Sequence, residues 1–226
     1  MDLGYGEYLI ISACLNSKYD YKKIEALILG LSKKGMECID VCYLGVNPKT
    51  VTYEDIWNGV ENHISNDFSV DDLVSGVLSF LECKFTNGLN CRINVSFLDE
   101  LSYEVSLSFN YSDVTTSNNL SFIEHVGLIS FEALKPAFGV IGIERSVCGV
   151  KALIEDVCEL PTDRAFYSGY LYESAKNEFN RIFKQADFIK EIPNTGIYFR
   201  KNAVSEFSLR ETTEEISSIA FLKHKL

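Results

Sequence analysis

The sequence predicts an α+β fold: a mixed or antiparallel sheet with flanking helices. Three observations carry that prediction. Cys91, Ile93, Val95 and Phe97 alternate with Arg92, Asn94 and Ser96, and Leu101, Tyr103, Val105, Leu107 and Phe109 alternate with polar residues. Two such runs linked through Asp99-Glu100 make a β-hairpin with one apolar and one polar face. Residues 7–15 are a short continuous apolar run, which suits a strand buried on both faces, 138–143 read as another buried strand, and 36–44 as a further strand. Residues 20–34 and 121–135 instead place apolar side chains at helical spacing. Composition agrees with a packed chain: 46% of the 226 residues are hydrophobic and 12% aromatic, with only 4 Pro and 14 Gly, which excludes a disordered or low-complexity chain. At ~100–200 residues per domain, 226 residues make a single α+β domain, with lobes 1–112 and 120–226 on either side of a polar stretch.

The elements follow in order. The 7–15 strand leads into a helix carrying Tyr21, Ile24, Leu27, Ile28 and Leu31, which Lys33, Lys34 and Gly35 close. A strand over 36–44 completes a strand–helix–strand start, compatible with a right-handed crossover or with an α+β hairpin of layers. Thr52, with Glu54 and Asp55 behind it, predicts a helix over 52–64 whose apolar stripe is Ile56, Trp57, Val60 and Ile64. Ser69 with Asp71 and Asp72 predicts another, with Leu73, Val74, Val77, Leu78 and Leu81 inward; Val77–Phe85 is the competing strand. After the hairpin, residues 112–119 form a polar loop. Ser121 and Glu124 have capping-box spacing for a helix ending before Pro136. Then come a strand over 138–143, a short helix over 150–159, a strand over 165–172 and a helix over 174–186. A second hairpin turns on Pro193-Asn194-Thr195-Gly196, and a last helix runs from Thr212 or Thr213 to Leu222.

The net charge is −11. An acidic chain repels both the phosphate backbone and an anionic bilayer, so neither nucleic acid nor membrane is the expected partner. Residues 50–132 contain 13 acidic side chains against Lys84 and Arg92, a net of −11, while the flanking thirds are each neutral. A surface of one sign speeds encounter with a partner of the other. No stretch of 18 apolar residues exists to make a membrane span. Asp2 and Glu7, with no Lys or Arg near them, predict a first strand rather than a secretory signal.

Chemistry-bearing motifs are scarce. Seven cysteines, Cys14, Cys38, Cys42, Cys83, Cys91, Cys148 and Cys158, show no C-x-x-C, which predicts buried thiols in a reducing cytoplasm rather than disulfides or a metal site. Cys38 and Cys42 are four apart in one strand and so should share a face. No phosphate loop, G-x-S-x-G elbow or H-E-x-x-H occurs, and no cofactor is expected. His63, His125 and His224 read as dipole-complementing or solvated groups. Glu144-Arg145, at the end of the 138–143 strand, is the most site-like pair, because ligands often bind beyond strand ends.

In size, acidity, mixed architecture and the acidic stretch holding Glu54, Asp55, Trp57, Asp71 and Asp72, the chain resembles the immunity proteins of interbacterial toxin systems. The resemblance implies a non-enzymatic, cytoplasmic protein that binds a basic partner, a cognate toxin, and occludes its active site. Glu54, Asp55, Trp57, Glu61, Asp71 and Asp72 are then the expected partner-binding residues. Two alternatives use the same sequence differently: a small-molecule hydrolase or transferase built around Glu144, and an acidic protein that mimics DNA.

Overall fold

The computed structural model describes residues 8–59, 61–65, 69–74, 76–116, 119–143, 147, 149–151, 164–184 and 186–201. Among these residues ten strands form one sheet: β1 (Tyr8–Leu15), β2 (Met36–Leu44), β3 (Glu61–Ser65), β4 (Val77–Phe85), β5 (Asn90–Phe97), β6 (Tyr103–Asn110), β7 (Phe138–Ile143), β8 (Ala165–Ser168), β9 (Phe188–Ile192) and β10 (Gly196–Arg200). Their order is β3-β2-β4-β5-β6-β1-β7-β8-β10-β9, with neighbours antiparallel. The first strand is thus central, held between β6 (Ile11 opposite Leu107) and β7 (Ile11 opposite Ile141).

The helices are α1 (Tyr21–Ser32), α2 (Asp55–Asn58), α3 (Tyr111–Thr116), α4 (Leu120–Leu134), α5 (Gly169–Ser174) and α6 (Lys176–Phe183). On one face of the sheet, α1 and α4 pack side by side and cover Leu9, Ile11, Leu81, Ile93, Val105 and Leu107. Each fully buried side chain of this size contributes ~1.5–3 kcal/mol. Gly127 lets α4 settle onto the sheet, since a Cβ there would lie 2.5 Å from Ile141 Cδ1. On the opposite face a second cluster gathers Cys14, Phe138, Val140, Tyr167 and Phe199 under Leu171 of α5, Phe179 of α6 and Ala175 between them.

The α+β class, the 36–44 and 138–143 strands and both predicted hairpins are present. Elsewhere tertiary context changes the local outcome. The helix expected over 52–64 is one turn, α2, and the chain then leaves through Gly59 (φ −68°, ψ 140°) to pair as β3 with β2. The helix expected over 69–81 is a 3₁₀ turn at Val70–Val74 followed by β4. Val77 and Leu78 are both buried because the start of β4 is covered on its two faces, so successive apolar residues imitate a helical stripe. The 112–119 loop contains α3: Asn110 Oδ1 accepts from Ser112 N–H at 3.0 Å and Ser112 Oγ at 2.6 Å, and fully buried Val114 anchors the turn. The strand expected over 165–172 stops at Ser168, whose hydroxyl accepts from Leu171 N–H at 3.4 Å and starts α5. Helix α4 begins at Leu120 after Asn119, so Ser121 and Glu124 form no capping box.

Cys38 and Cys42 do not share a face. A register irregularity between Cys38 and Asp40 inserts Ile39, leaving Cys38 opposite Cys83 on the core side and Cys42 opposite Phe80 on the other. The helix expected over 150–159 starts at Val150, and its remainder lies outside the described residues, as does the last helix at 212–222.

Candidate functional site

The acidic residues singled out in the sequence lie in the two connections that flank β3, the strand that ends the sheet beyond β2 among the described residues. Asp55 opens α2 in the β2–β3 connection, with Glu54 just before it, and both are exposed. Asp71 and Asp72 lie in the 3₁₀ turn of the β3–β4 connection, which packs against α1 through buried Leu73. Asp71 is exposed and Asp72 half-buried. Trp57 is in α2 and Glu61 starts β3 opposite Leu44, but their side chains are outside the described set.

Two of these carboxylates also have local duties. Asp55 Oδ2 accepts from Thr52 N–H and Thr52 Oγ, each at 2.8 Å, which keeps its carboxyl below the usual range. Asp72 Oδ2 accepts from Ser69 N–H at 2.7 Å and Ser69 Oγ at 3.1 Å. These bonds fix where the charges point, because the capping residues predicted from sequence are the partners that hold them.

Other anions of the 50–132 stretch do not face a partner at all. Glu82 meets Arg92 at 3.2 Å, Glu124 is enclosed with Arg200, and Asp99 and Glu104 are buried beneath residues 147 and 149–151. There Glu104 accepts from the Ser12 hydroxyl, and Val147 N–H donates to Ser12 Oγ at 2.9 Å and to Glu104 Oε1 at 3.3 Å. Asp99 accepts from Leu101 N–H and Ser102 Oγ, both at 2.8 Å, and from Lys151 N–H at 2.9 Å. Ser102 Oγ accepts from Val150 N–H at 3.0 Å. Gly149 permits this approach, since a Cβ there would lie 2.4 Å from Asp99 Oδ2. Cys14 lies within the same network. Burial pushes its thiol up, and nearby Asp99 and Glu104 add to the effect, which disfavours the thiolate.

Burial also raises the Glu104 carboxyl above its ordinary range, and the Ser12 and Val147 bonds pull it partly back. The folded chain therefore holds this proton more tightly than the unfolded chain. The stabilisation is present below the ordinary Glu pKa and is lost as pH rises through the raised value. Glu104→Gln removes the buried charge and keeps an acceptor for both donors. Its urea midpoint is expected to exceed that of the unmodified protein at about pH 8, by a margin shrinking toward about pH 4. A margin independent of pH would contradict that account.

A cleft of about 100 Å³ opens where the β1–α1 turn meets the 48–53 loop and the β5–β6 turn, with Ser17, Lys18, Lys49, Thr52, Asp99 and Tyr103 among its lining residues. Nothing in the sequence marked it, because its walls come from three distant segments, none of which carries a motif. Glu144 and Arg145 lie outside the described residues. His125 is exposed on α4; partial burial, then the charges of Lys34 and Lys190, lower its pKa. The five described cysteines are free thiols, and no group of three metal-binding side chains occurs among the described residues. No helix among them is long and apolar enough to cross a membrane.

No family model matches the chain, and no curated protein matches it. Among solved structures it is similar to the Pseudomonas aeruginosa T6SS protein PA0821, with a TM-score of 0.50 and 9% identity, over 86% of this chain and 66% of that one. The chain thus spans just under two thirds of that neighbour, and the likeness is one of fold.

Proposed function

We propose that this protein is a non-enzymatic binding protein that neutralises a basic protein partner, a cognate bacterial toxin, by occluding its active site. The observation that carries this reading is the exposure of Glu54, Asp55 and Asp71 in the two connections that flank β3, within a stretch whose cations are Lys84 and Arg92 alone. Arg92 is engaged by Glu82 at 3.2 Å, and we read the exposed carboxylates as an acidic face. Such a face steers a cationic partner into encounter and sets its orientation. The fold likeness to a protein titled as belonging to a T6SS is in keeping with a role against a secreted toxin.

One feature weighs against the DNA-mimic alternative. A DNA mimic needs its carboxylates regularly spaced along a surface, whereas Asp99, Glu104 and Glu124 turn inward to serine, tyrosine and arginine partners.

The clean test reverses Glu54 and Asp71 and leaves the capping carboxylates Asp55 and Asp72 in place. With the basic protein that the immobilised chain retains from its source lysate as partner, Glu54→Lys with Asp71→Lys is expected to slow association ~10-fold or more at low salt. The salt dependence of the association rate should flatten, while dissociation changes little. Association rates that match the unmodified protein at every ionic strength would remove this edge from the account.

A further inference from the structure

Three cysteines stand in one row across the sheet. Cys38 of β2 is opposite Cys83 of β4, and Cys83 is opposite Cys91 of β5. All three belong to the core side under α1 and α4, where Cys83 and Cys91 are buried and Cys38 is half-buried. Spacing along the sequence hides this row, because it groups Cys38 with Cys42, which faces the other way.

The two cysteine pairs differ in their place on the hydrogen-bond ladder. Thr86 N–H donates to Gly35 O at 3.0 Å, so residues 35 and 86 are a bonded pair between β2 and β4. Bonded and non-bonded pairs alternate, and the register runs without a break from Met36–Phe85 to Cys38–Cys83. Cys38 and Cys83 are therefore a non-bonded pair. Toward β5, Phe85 N–H donates to Leu89 O at 2.9 Å, and two residues back Cys83 again turns its backbone bonds that way. Cys83 and Cys91 are thus a bonded pair. Opposing Cα atoms are ~4.5 Å apart in a non-bonded pair and ~5.5 Å apart in a bonded one. A disulfide needs its Cβ atoms about 3.5–4.5 Å apart, which suits Cys38 with Cys83 and strains Cys83 with Cys91. The first two thiols also feel each other: burial, and then the neighbouring Cys83 thiol, pushes Cys38 up to about 11.

We propose that Cys38 and Cys83 are a redox-modifiable pair that closes to a cross-strand disulfide by exchange with a low-molecular-weight disulfide. Half-buried Cys38 is the point of entry. Its thiolate attacks one sulfur of the small disulfide RS–SR and expels RS⁻, which leaves a mixed disulfide on Cys38. Cys83 then gives its proton to solvent, attacks the Cys38 sulfur and expels the second RS⁻. Two protein thiols are oxidised, and one RS–SR is reduced to two RSH. Cys83 gives up only a weak thiol bond, to Cys91 O at 3.3 Å. The raised Cys38 thiol keeps its thiolate scarce near neutral pH, so closure is slow. The closed bond joins β2 to β4 just before the register irregularity at Ile39, and so ties down the end of the sheet that carries β3. This inference does not rest on the docking reading.

The test exposes the full folded chain to oxidised glutathione at about pH 8, alkylates the remaining thiols and maps the peptides by mass spectrometry. The expected result is an intact mass lower by two hydrogens, with Cys38 linked to Cys83 and the link reversed by dithiothreitol. Closure should raise the Tm by ~5 °C or more, because it constrains the unfolded chain between residues 38 and 83. Cys38→Ser is expected to abolish both the link and the rise in Tm. Cys91→Ala is expected to leave both in place. Free thiols at Cys38 and Cys83 after prolonged exposure, a reaction that stops at glutathione on Cys38, a link from Cys83 to Cys91 instead, or a link that lowers the Tm overturns the proposal.

Discussion

Replacing Glu124 by alanine is expected to cost about 3–5 kcal/mol of folding free energy, because it strips an enclosed arginine of its carboxylate. Arg200 Nε donates to Glu124 Oε1 at 2.8 Å, and the side chains are only 12% and 13% exposed. The same carboxylate oxygen accepts from the Tyr198 hydroxyl at 2.8 Å, so the substitution also leaves a buried phenol unsatisfied. Both partners are on β10 while Glu124 is on α4, which makes this a link between the helix layer and the C-terminal strands. Urea unfolding gives the measurement. The double variant Glu124→Met, Arg200→Met should recover part of the loss, since apolar side chains of similar volume carry no desolvation penalty. A loss under about 1 kcal/mol for Glu124→Ala would place the pair in the weak class of surface bridges instead.

Phe131→Ala is expected to cost a similar ~3–5 kcal/mol by a different route, the cavity it leaves. Phe131 is fully buried on α4, stacked on Phe166 with ring centroids 5.0 Å apart and tilted against Tyr198 at 6.2 Å. It lies directly over Gly139, where an added Cβ would sit 2.5 Å from Phe131 Cε1 and 2.8 Å from the backbone oxygen of Ser12. The backbone on one side and the rings on the other leave little room to collapse into the void. In a chain of this length each kcal/mol shifts Tm by ~2–4 °C, so a fall on the order of 10 °C is the expected calorimetric result. Phe131→Leu should lose clearly less. Equal losses for the two would mean that ring stacking, rather than filled volume, dominates here.

These two side chains also illustrate what sequence reading captures and what it misses. The helix that carries them was legible, because 121–135 repeats its apolar residues at helical spacing and stops before Pro136. The role of Glu124 was not. At that spacing from Ser121 it reads as a capping partner, whereas β10, some seventy residues later, brings Arg200 and Tyr198 to it. The acidic edge was legible in part. Thr52–Asp55 and Ser69–Asp72 are short-range pairs, and the structure forms both. Asp99 and Glu104, equally acidic in sequence, turned inward because residues 147 and 149–151 pack over the hairpin. No local pattern distinguishes a carboxylate that will face water from one that will receive the backbone N–H groups of a distant segment.

Alternation, helical periodicity and turn chemistry determined, by themselves, the α+β class, the 90–110 and 188–200 hairpins and the main helices, because each is a local preference repeated over many residues. Tertiary structure alone decided the strand order, with β1 in the centre, the conversion of 61–65 to a strand, and the choice at 77–85 between the helix and the strand that the sequence left open. It also decided the face reversal between Cys38 and Cys42 and the cleft where the β1–α1 turn meets the β5–β6 turn. Those outcomes depend on which segments meet. A short apolar stretch satisfies helix and strand alike until a neighbouring strand supplies its hydrogen bonds.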